Sequence, residues 1–417
     1  VTVLDDFVEG DRVEVTVGGP AHGGHCVARI GEEHGRVVFV RHALPGERVT
    51  AEITELHRGY LRADAVEVHE ASPERVRPPC PWARPGACGG CDLQHVAPAA
   101  QLDWKTSVVR ELLARVGGLD AGTIDALGVR VQPLPGGSLG WRSRVRYAVD
   151  AAGRPGLLQH RSHQVVPIDW CRIARPALQK LPVLGRRWPD AAAIEVVAST
   201  GGDVSVLSRA AADSFAPTDE QGGAAVLLDG PAEVREVAAG REWHVPPEGF
   251  WQVHPAAADT LVAAVVELLR PEPGEVSWDL YGGAGLFAAA LAERTGARTT
   301  VVESAPVGVA AARRNLADLT GVEVVAAKVE TALARRRIAG PVDLVVLDPP
   351  RTGAGAKVVR AIAAAAPRAV AYVACDPAAL SRDVATFARL GWRLAELRGY
   401  DCFPMTQHVE CVALFTP

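Results

Sequence analysis

The run AVAYVA at residues 369–374 ends on Cys375, and Asp376 and Pro377 follow. Small and apolar residues without interruption predict a buried strand, so the thiol is delivered into a loop at the edge of a sheet. Two readings are open. Cysteine is among the most buried residue types and can be a plain small hydrophobe. It can also be a nucleophile held at a strand end. A second stretch, LVVLDPPRTG at 344–353, is another apolar strand, ending on Asp348, with two prolines and Arg351 after it. A third, DCFPMTQHVECVALF at 401–415, sets Glu410 among Val409, Cys411, Val412 and Leu414. A charge there is costly unless it is used or paired, although a Glu on the exposed face of an edge strand would show the same pattern. A thiol, an acid that can act as base and a sulfonium methyl donor would suffice to alkylate an unreactive pyrimidine carbon. The thiolate adds at C6, charge builds at C5, C5 takes the methyl, and a base removes the C5 proton.

A methyl donor would need its own site. DLYGGAGLF at 279–287 follows a strand over 276–281 and leads into a helix, with Gly282, Gly283 and Gly285 in the turn. Glycines there let a ligand approach the backbone at the carboxyl end of a strand. The next strand, RTTVVE, ends on Glu303, where an acid can accept hydrogen bonds from both ribose hydroxyls of a nucleoside cofactor. The spacing resembles class I S-adenosylmethionine-dependent methyltransferases more than the NAD-binding pattern. Separately, Cys80, Cys88, Cys91 and Cys171 form a C-x7-C-x2-C…C set. Clustered cysteines in a reducing compartment suggest a metal, and this spacing leaves zinc and [4Fe–4S] both open. Cys26, Cys402 and Cys411 read as small hydrophobes.

These residues need elements to position them. The chain has 417 residues, enough for two or three domains. Residues 9–69 hold five short runs rich in Val, Ile and Thr, separated by turn residues, which predict a small β-barrel. A Pro-, Gly- and Cys-rich stretch follows. Leu102, Val109, Leu112 and Leu113 then predict an amphipathic helix ended by Gly117. Residues 130–245 mix strand-like runs with turns, and from about 246 an alternating α/β pattern runs onward. The expected domains are 1–70, 71–245 and 246–417. The net charge of −5 does not advertise nucleic acid, but Trp141–Asp190 carries ten Arg or Lys against three Asp. That is either a phosphate-binding face or a solvated surface. Arg142, Arg144 and Arg146 alternate and should share one face of a strand. A hydrophobic content of 48%, a mean hydropathy of +0.09 and no uninterrupted bilayer-length apolar run argue against a membrane span. With no basic-then-apolar leader in VTVLDDFVEGDRVEV, the cytoplasm is the expected location.

Taken together, C…C-G-G-C-x-x-Q-H, FWQVH, DLYGGAG, DPPR, YVACDPA and FPMTQHVE resemble the RNA uracil-C5 methyltransferases, which make 5-methyluridine. The resemblance covers essentially the whole chain. It implies an α/β protein in three parts: an N-terminal TRAM barrel (OB-like) that binds RNA, a central mixed α/β iron–sulfur domain, and a C-terminal Rossmann-like methyltransferase domain. Cys375 would be the nucleophile and Glu410 the base. Gln252, Tyr281, Gly283, Gly285, Glu303 and Asp348 would line the S-adenosylmethionine and uracil pockets. Cys80, Cys88, Cys91 and Cys171 would hold a [4Fe–4S] cluster, which decides against zinc. The partner would be structured RNA, rRNA or tRNA, met by a monomer without an obligate protein partner, and the target base would flip out of its stack. The sequence departs from the family pattern at His254 and Asp376, where Asn is usual, at Gly282 and Leu286 in the glycine turn, and in the spacing from Cys80 to Cys88. Asp376 is expected to disfavour a thiolate beside it. Two rival readings are an RNA-binding iron–sulfur protein on the same scaffold without catalysis, and an RNA cytosine-C5 methyltransferase.

Overall fold

The computed structural model describes residues 7–31, 35–210 and 225–417. The barrel consists of β1 (Arg12–Ala21), β2 (His25–Ile30), β3 (Arg36–Arg41), β4 (Arg48–Leu56) and β5 (Tyr60–Glu70), closed in the order β1-β2-β3-β5-β4. Alternation does the folding here. Val49, Ala51 and Ile53 of β4 point inward with Val38, Val40 and Leu61, while the residues between them face outward. Closure leaves no free edge.

The helix expected around Leu102 is α1 (Pro98–Arg115), with proline in its first turn. It is not simply amphipathic. Trp104 and Val108 close the floor of the barrel, and Val109 and Leu113 pack into the C-terminal core. Between these faces Lys105 is fully buried, its Nζ 2.6 Å from Asp401 Oδ1 and 3.1 Å from the Phe403 carbonyl. Losing one partner of such a pair costs about 3–5 kcal/mol, because the other charge stays buried alone. A short α2 (Ala121–Ala126), capped by Asp120, leads to β6 (Val131–Pro133).

The middle unit is a six-stranded antiparallel sheet. Its strands are β7 (Arg144–Val149), β8 (Pro155–Leu158), β9 (Val165–Pro167), β10 (Ala193–Ala198), β11 (Val204–Arg209) and β12 (Ala225–Asp229), in the order β12-β11-β10-β7-β8-β9. A one-turn α3 (Pro176–Gln179) lies between β9 and β10. Arg144 and Arg146 share a face of β7 and are both paired with acids, while Arg142 precedes the strand and donates to the Arg144 carbonyl. Arg144 is buried, donates to the Pro247 and Gly249 carbonyls, and pairs with Glu236 at 3.3 Å. Arg146 pairs across strands with Glu195 at 3.2 Å. The acids that hold these arginines lie far along the chain, which a local charge count cannot see.

A hairpin of β13 (Val234–Ala238) and β14 (Arg241–Val245) leads into the last unit. There α4 (Ala257–Leu269), β15 (Ser277–Leu280), α5 (Leu286–Thr295), β16 (Thr299–Glu303), α6 (Pro306–Asn315), β17 (Val322–Ala326), α7 (Val329–Ala334), β18 (Leu344–Leu347), α8 (Gly355–Ala365), β19 (Ala369–Ala374), α9 (Pro377–Arg389), β20 (Arg393–Asp401) and β21 (Glu410–Thr416) follow in turn. The sheet order is β17-β16-β15-β18-β19-β21-β20-β6. β21 runs antiparallel between β19 and β20, and β6 adds parallel to β20 through Gly399, Tyr400 and Asp401. The segment 98–133, expected in the middle unit, therefore completes the C-terminal sheet. Without it β20 would be a bare edge. No helix among the described residues is long and apolar enough to cross a membrane.

Candidate active site at the carboxyl edge of the C-terminal sheet

Open α/β sheets bind ligands outside the carboxyl ends of their strands. The residues singled out above converge there. β15 ends at Leu280, and Tyr281 (φ 64°), Gly283 (φ 52°) and Gly285 (φ 95°) turn the chain into α5 through left-handed backbone. At Gly285 a Cβ would lie 2.6 Å from Leu316 Cδ1, so glycine is required by space as well as by conformation. Glu303, at the end of β16, accepts from the Gly283 N–H at 2.9 Å and from the N–H groups of Ser304 and Ala305 at 2.6 Å. The acid thus braces the glycine turn from the next strand.

β18 delivers Asp348, β19 delivers Cys375 and β21 begins with Glu410. Ala374 stands opposite Cys411 in the ladder, which places Glu410 beside the thiol. Glu410 is 2% exposed, and its Oε1 has no hydrogen-bond partner among the described residues. Burial, then the charge of Asp348, pushes its carboxyl well above the usual range. Asp348 is itself pushed up to about 7 by burial. Cys375 is pushed up to about 12, first by burial, then by Glu410 and Asp348, against the pull of Arg351. A thiol, two electrostatically interacting carboxyls and a guanidinium therefore act on one another at three neighbouring strand ends. The loop bearing Arg351 is pinned where Tyr372 Oη and the Ala354 N–H both donate to Asp383 Oδ2, at 2.7 and 3.0 Å. The loop before Glu410 is pinned by α1: Gln101 accepts from the Met405 N–H, and Lys105 holds the Phe403 carbonyl.

Residues 7–66 match the TRAM domain, and residues 238–416 match the family described as tRNA (Uracil-5-)-methyltransferase. A Streptomyces avermitilis protein described as an RNA methyltransferase is 47% identical over 98% of this chain and 99% of its own. A Shewanella sp. protein named 23S rRNA (uracil(1939)-C(5))-methyltransferase RlmD is 32% identical over 94% of this chain and 93% of its own. The chain belongs to the RNA uracil-C5 methyltransferase family. The fold of this methyltransferase also matches the crystal structure of Pyrococcus abyssi tRNA (uracil-54, C5)-methyltransferase with S-adenosyl-L-homocysteine. That match has a TM-score of 0.72 at 22% identity and covers 97% of this chain and 100% of the other.

Two departures from the family pattern have a local explanation. Asp376 caps α9, accepting from the Ala379 N–H at 2.7 Å, and lies 3.2 Å from Nε2 of His22 in the barrel turn. Burial raises its carboxyl, but His22 and the capping N–H outweigh that and hold it below the ordinary range. Among the groups that raise the Cys375 thiol it comes after burial, Glu410 and Asp348, so the expected opposition from Asp376 is a minor one. His254 is buried, stacks on Trp141 with centroids 5.9 Å apart, and is pushed down to about 4 by burial, so it is neutral. Gln252 is buried on the turn after Gly249, which Arg144 anchors, and the Ser143 N–H donates to the Val253 carbonyl.

Three groups in the methyltransferase escaped the sequence reading. Asp279 is wholly buried in β15, pushed up to about 8 by burial, with Oδ2 accepting from the Ala288 N–H and Oδ1 unpartnered among the described residues. An acid inside the apolar run VSWDL was the available signal. Phe250 is 70% exposed beside buried Trp251 and Gln252, an aromatic face turned to solvent next to the site. His408, two residues before Glu410, is pushed down to about 3 by burial and the charge of Arg351.

The four cysteines of the remaining set are free thiols that line one small cavity with Trp82, Ile168 and Trp170. Burial raises Cys80, Cys88 and Cys91, and Cys171 lies within electrostatic reach of each. Among the described residues no three His, Cys, Asp or Glu side chains close to metal-holding geometry. The donor set nonetheless fits a thiolate-ligated group, with four sulfurs from two distant segments around one largely apolar pocket.

Proposed function

We propose that this enzyme transfers a methyl group from S-adenosylmethionine to C5 of a uridine in structured RNA through a covalent adduct. The observation that carries the reading is Cys375 at a strand end beside two carboxyls, the partly buried Asp348 and the buried Glu410, on the same sheet edge as the glycine turn braced by Glu303. S-adenosylmethionine, when bound, supplies an electrophilic methyl. Gly283, Gly285 and Glu303 would hold it, and Tyr281, Gln252 and Asp348 would line the space between it and the base. Cys375 forms an S–C6 bond, and the C5–C6 π electrons move onto C5 and O4. C5 then forms its bond to the methyl carbon as the sulfonium S–CH3 bond breaks, its electron pair leaving on sulfur as the neutral thioether. The Glu410 carboxylate takes the C5 proton, the C5=C6 bond reforms from those electrons, and the C6–S bond breaks to return the thiolate. The target base must leave its stack to reach the thiol, and exposed Phe250 offers a face for a base to stack on.

Mass spectrometry of RNA nucleosides after incubation with methyl-labelled S-adenosylmethionine tests this. Labelled 5-methyluridine is expected. Labelled 5-methylcytidine would move the target to cytosine, and an RNA that binds without gaining label would leave a scaffold without catalysis.

The same reading assigns Cys80, Cys88, Cys91 and Cys171 to a [4Fe–4S] cluster that ties the 80–91 loop to the 168–173 segment. Protein purified without oxygen is expected to be brown and to carry about four irons per chain. Stoichiometric zinc with no iron, from iron-replete oxygen-free preparations, overturns the assignment.

A further inference from the structure

A separate cavity of about 200 Å³ lies between the barrel and the middle unit, away from the Cys375 site. Arg41, Arg62 and His25 of the barrel line it, together with Arg84, His160 and Arg161. Two carboxylates share the walls, Glu55 and Asp64. Glu55 is engaged by His57 at 3.0 Å, Arg62 at 3.4 Å and Arg161 at 3.6 Å. Asp64 lies 4.0 Å from Arg41. The histidines add no charge, since burial and then the neighbouring arginines push His25 down to about 3 and His160 to about 4. Four arginines thus face two carboxylates. Arg84 is exposed and has no partner among the described residues.

Several side-chain nitrogens behind this wall are sealed from solvent. Arg41 is 6% exposed, yet its Nε has no hydrogen-bond partner among the described residues, and the same holds for Arg62 Nε and His160 Nε2. Arg62 Nε lies near Glu55 without bonding geometry. These atoms are closed off from the cavity itself, so the groups that can meet a ligand there are the guanidinium N–H groups of the exposed lining residues Arg84 and Arg161. The cavity is several times the roughly 30 Å³ of one water and smaller than the about 300–1,000 Å³ of a drug-sized pocket. It suits a phosphate with part of its sugar. Beside it, His57 stacks on Tyr60 at 4.4 Å and 23°, with the Arg62 guanidinium 5.6 Å from the Tyr60 ring centre. Arginines interleaved with aromatic faces are the marks of a nucleic-acid strand rather than of a lone inorganic anion.

We propose that this cavity binds one phosphodiester of the substrate RNA strand, at a nucleotide other than the target uridine. The proposal rests on the RNA-methyltransferase reading above and adds to it a second grip. It also places a phosphate contact at the junction of barrel and middle unit, where Arg84 has no acid partner among the described residues, whereas Arg144 and Arg146 are paired with Glu236 and Glu195. The cavity is connected to the catalytic loop through Arg41, which lies 3.4 Å from Asp92 Oδ1, while Asp92 Oδ2 accepts from the Gln407 N–H.

The test is equilibrium binding of a labelled RNA hairpin across a salt series. It compares the full-length protein with an Arg84→Gln/Arg161→Gln double variant and an Arg62→Gln variant, each matched in thermal unfolding to the parent. Because the groups converge on one phosphate, the slope of log K against log salt should fall by about 0.7–0.9 in total. Affinity should fall by about tenfold, with the methylation defect in KM. Arg84→Lys/Arg161→Lys should restore the slope. Unchanged slope and affinity in the Gln variants, with RNA bound normally by the parent, overturns the pocket and leaves the methyltransferase reading intact. Failure of the parent to bind or methylate any RNA overturns both. Calorimetry with inorganic phosphate and with uridine 3′-monophosphate supplies the other arm. Binding of either that is lost in the variants, without a change in RNA slope, makes this a free-anion site and overturns the RNA assignment.

Discussion

Cys375→Ala is expected to abolish methyl transfer, by something on the order of 10⁴–10⁶-fold, and to remove every covalent protein–RNA species while RNA affinity stays as in the parent. The size follows from the task. C5 of a pyrimidine does not attack a methyl donor until C6 carries a nucleophile, and no other thiol stands at this sheet edge. Cys411 faces Ala374 from the neighbouring strand, fully buried, and Cys402 is likewise buried. Binding should survive because the side chain is small and half-buried, and makes no hydrogen bond among the described residues that holds a loop. Denaturing gels with 5-fluorouridine RNA read the adduct directly: the parent should be trapped, since no C5 proton can leave, and the variant should not. Methylation at the parental rate by Cys375→Ala would return the residue to a small hydrophobe at a strand end.

Glu410→Gln should give the opposite signature: a denaturation-resistant adduct that carries the transferred methyl and accumulates on ordinary RNA. Gln keeps the size of Glu and cannot accept the C5 proton, so addition and methyl transfer proceed and elimination stalls. It also removes a charge that, once ionised, opposes the thiolate at Cys375. The parent's pH dependence follows with the same sign. The base must be ionised, and burial with Asp348 holds Glu410 protonated beyond the usual carboxylate range. The thiol titrates near 12. Activity should therefore rise with pH as Glu410 ionises, and should not fall across neutrality. Turnover by Glu410→Gln at the parental rate, with no adduct, assigns the proton to another group.

Much of the site could be read from the sequence because its parts are local. The strand run before Cys375, the glycine turn at 282–285 and the acid ending RTTVVE are each legible within ten residues, and the structure sets each at a strand end as those runs imply. The barrel was legible for the same reason, since period-two alternation is a local signal. What escaped depends on partners distant in the chain. Arg144 and Arg146 look like a phosphate face until Glu236 and Glu195 are in place. Asp376 looks like the main obstacle to the thiolate until burial, Glu410 and Asp348 are seen to raise Cys375 ahead of it. The apolar spacing of α1 suggests one buried face, whereas two different cores claim the helix and Lys105 lies between them. The proximity of Asp348 to Glu410 is a product of strand order, which no run of residues announces.

The placement of β6 at the end of the C-terminal sheet bears on how this chain folds. α1 and β6 leave the ribosome well before β20 and β21, the strands that complete their surroundings. The apolar face of α1 and the ammonium of Lys105 must therefore wait for nearly the whole chain. Contacts this far apart in sequence close late and slow the approach to the native state. They also bind the halves into one cooperative unit. A fragment starting at residue 246 would present β20 as a naked edge and Asp401 without its cation, so it should aggregate rather than fold as an independent catalytic domain.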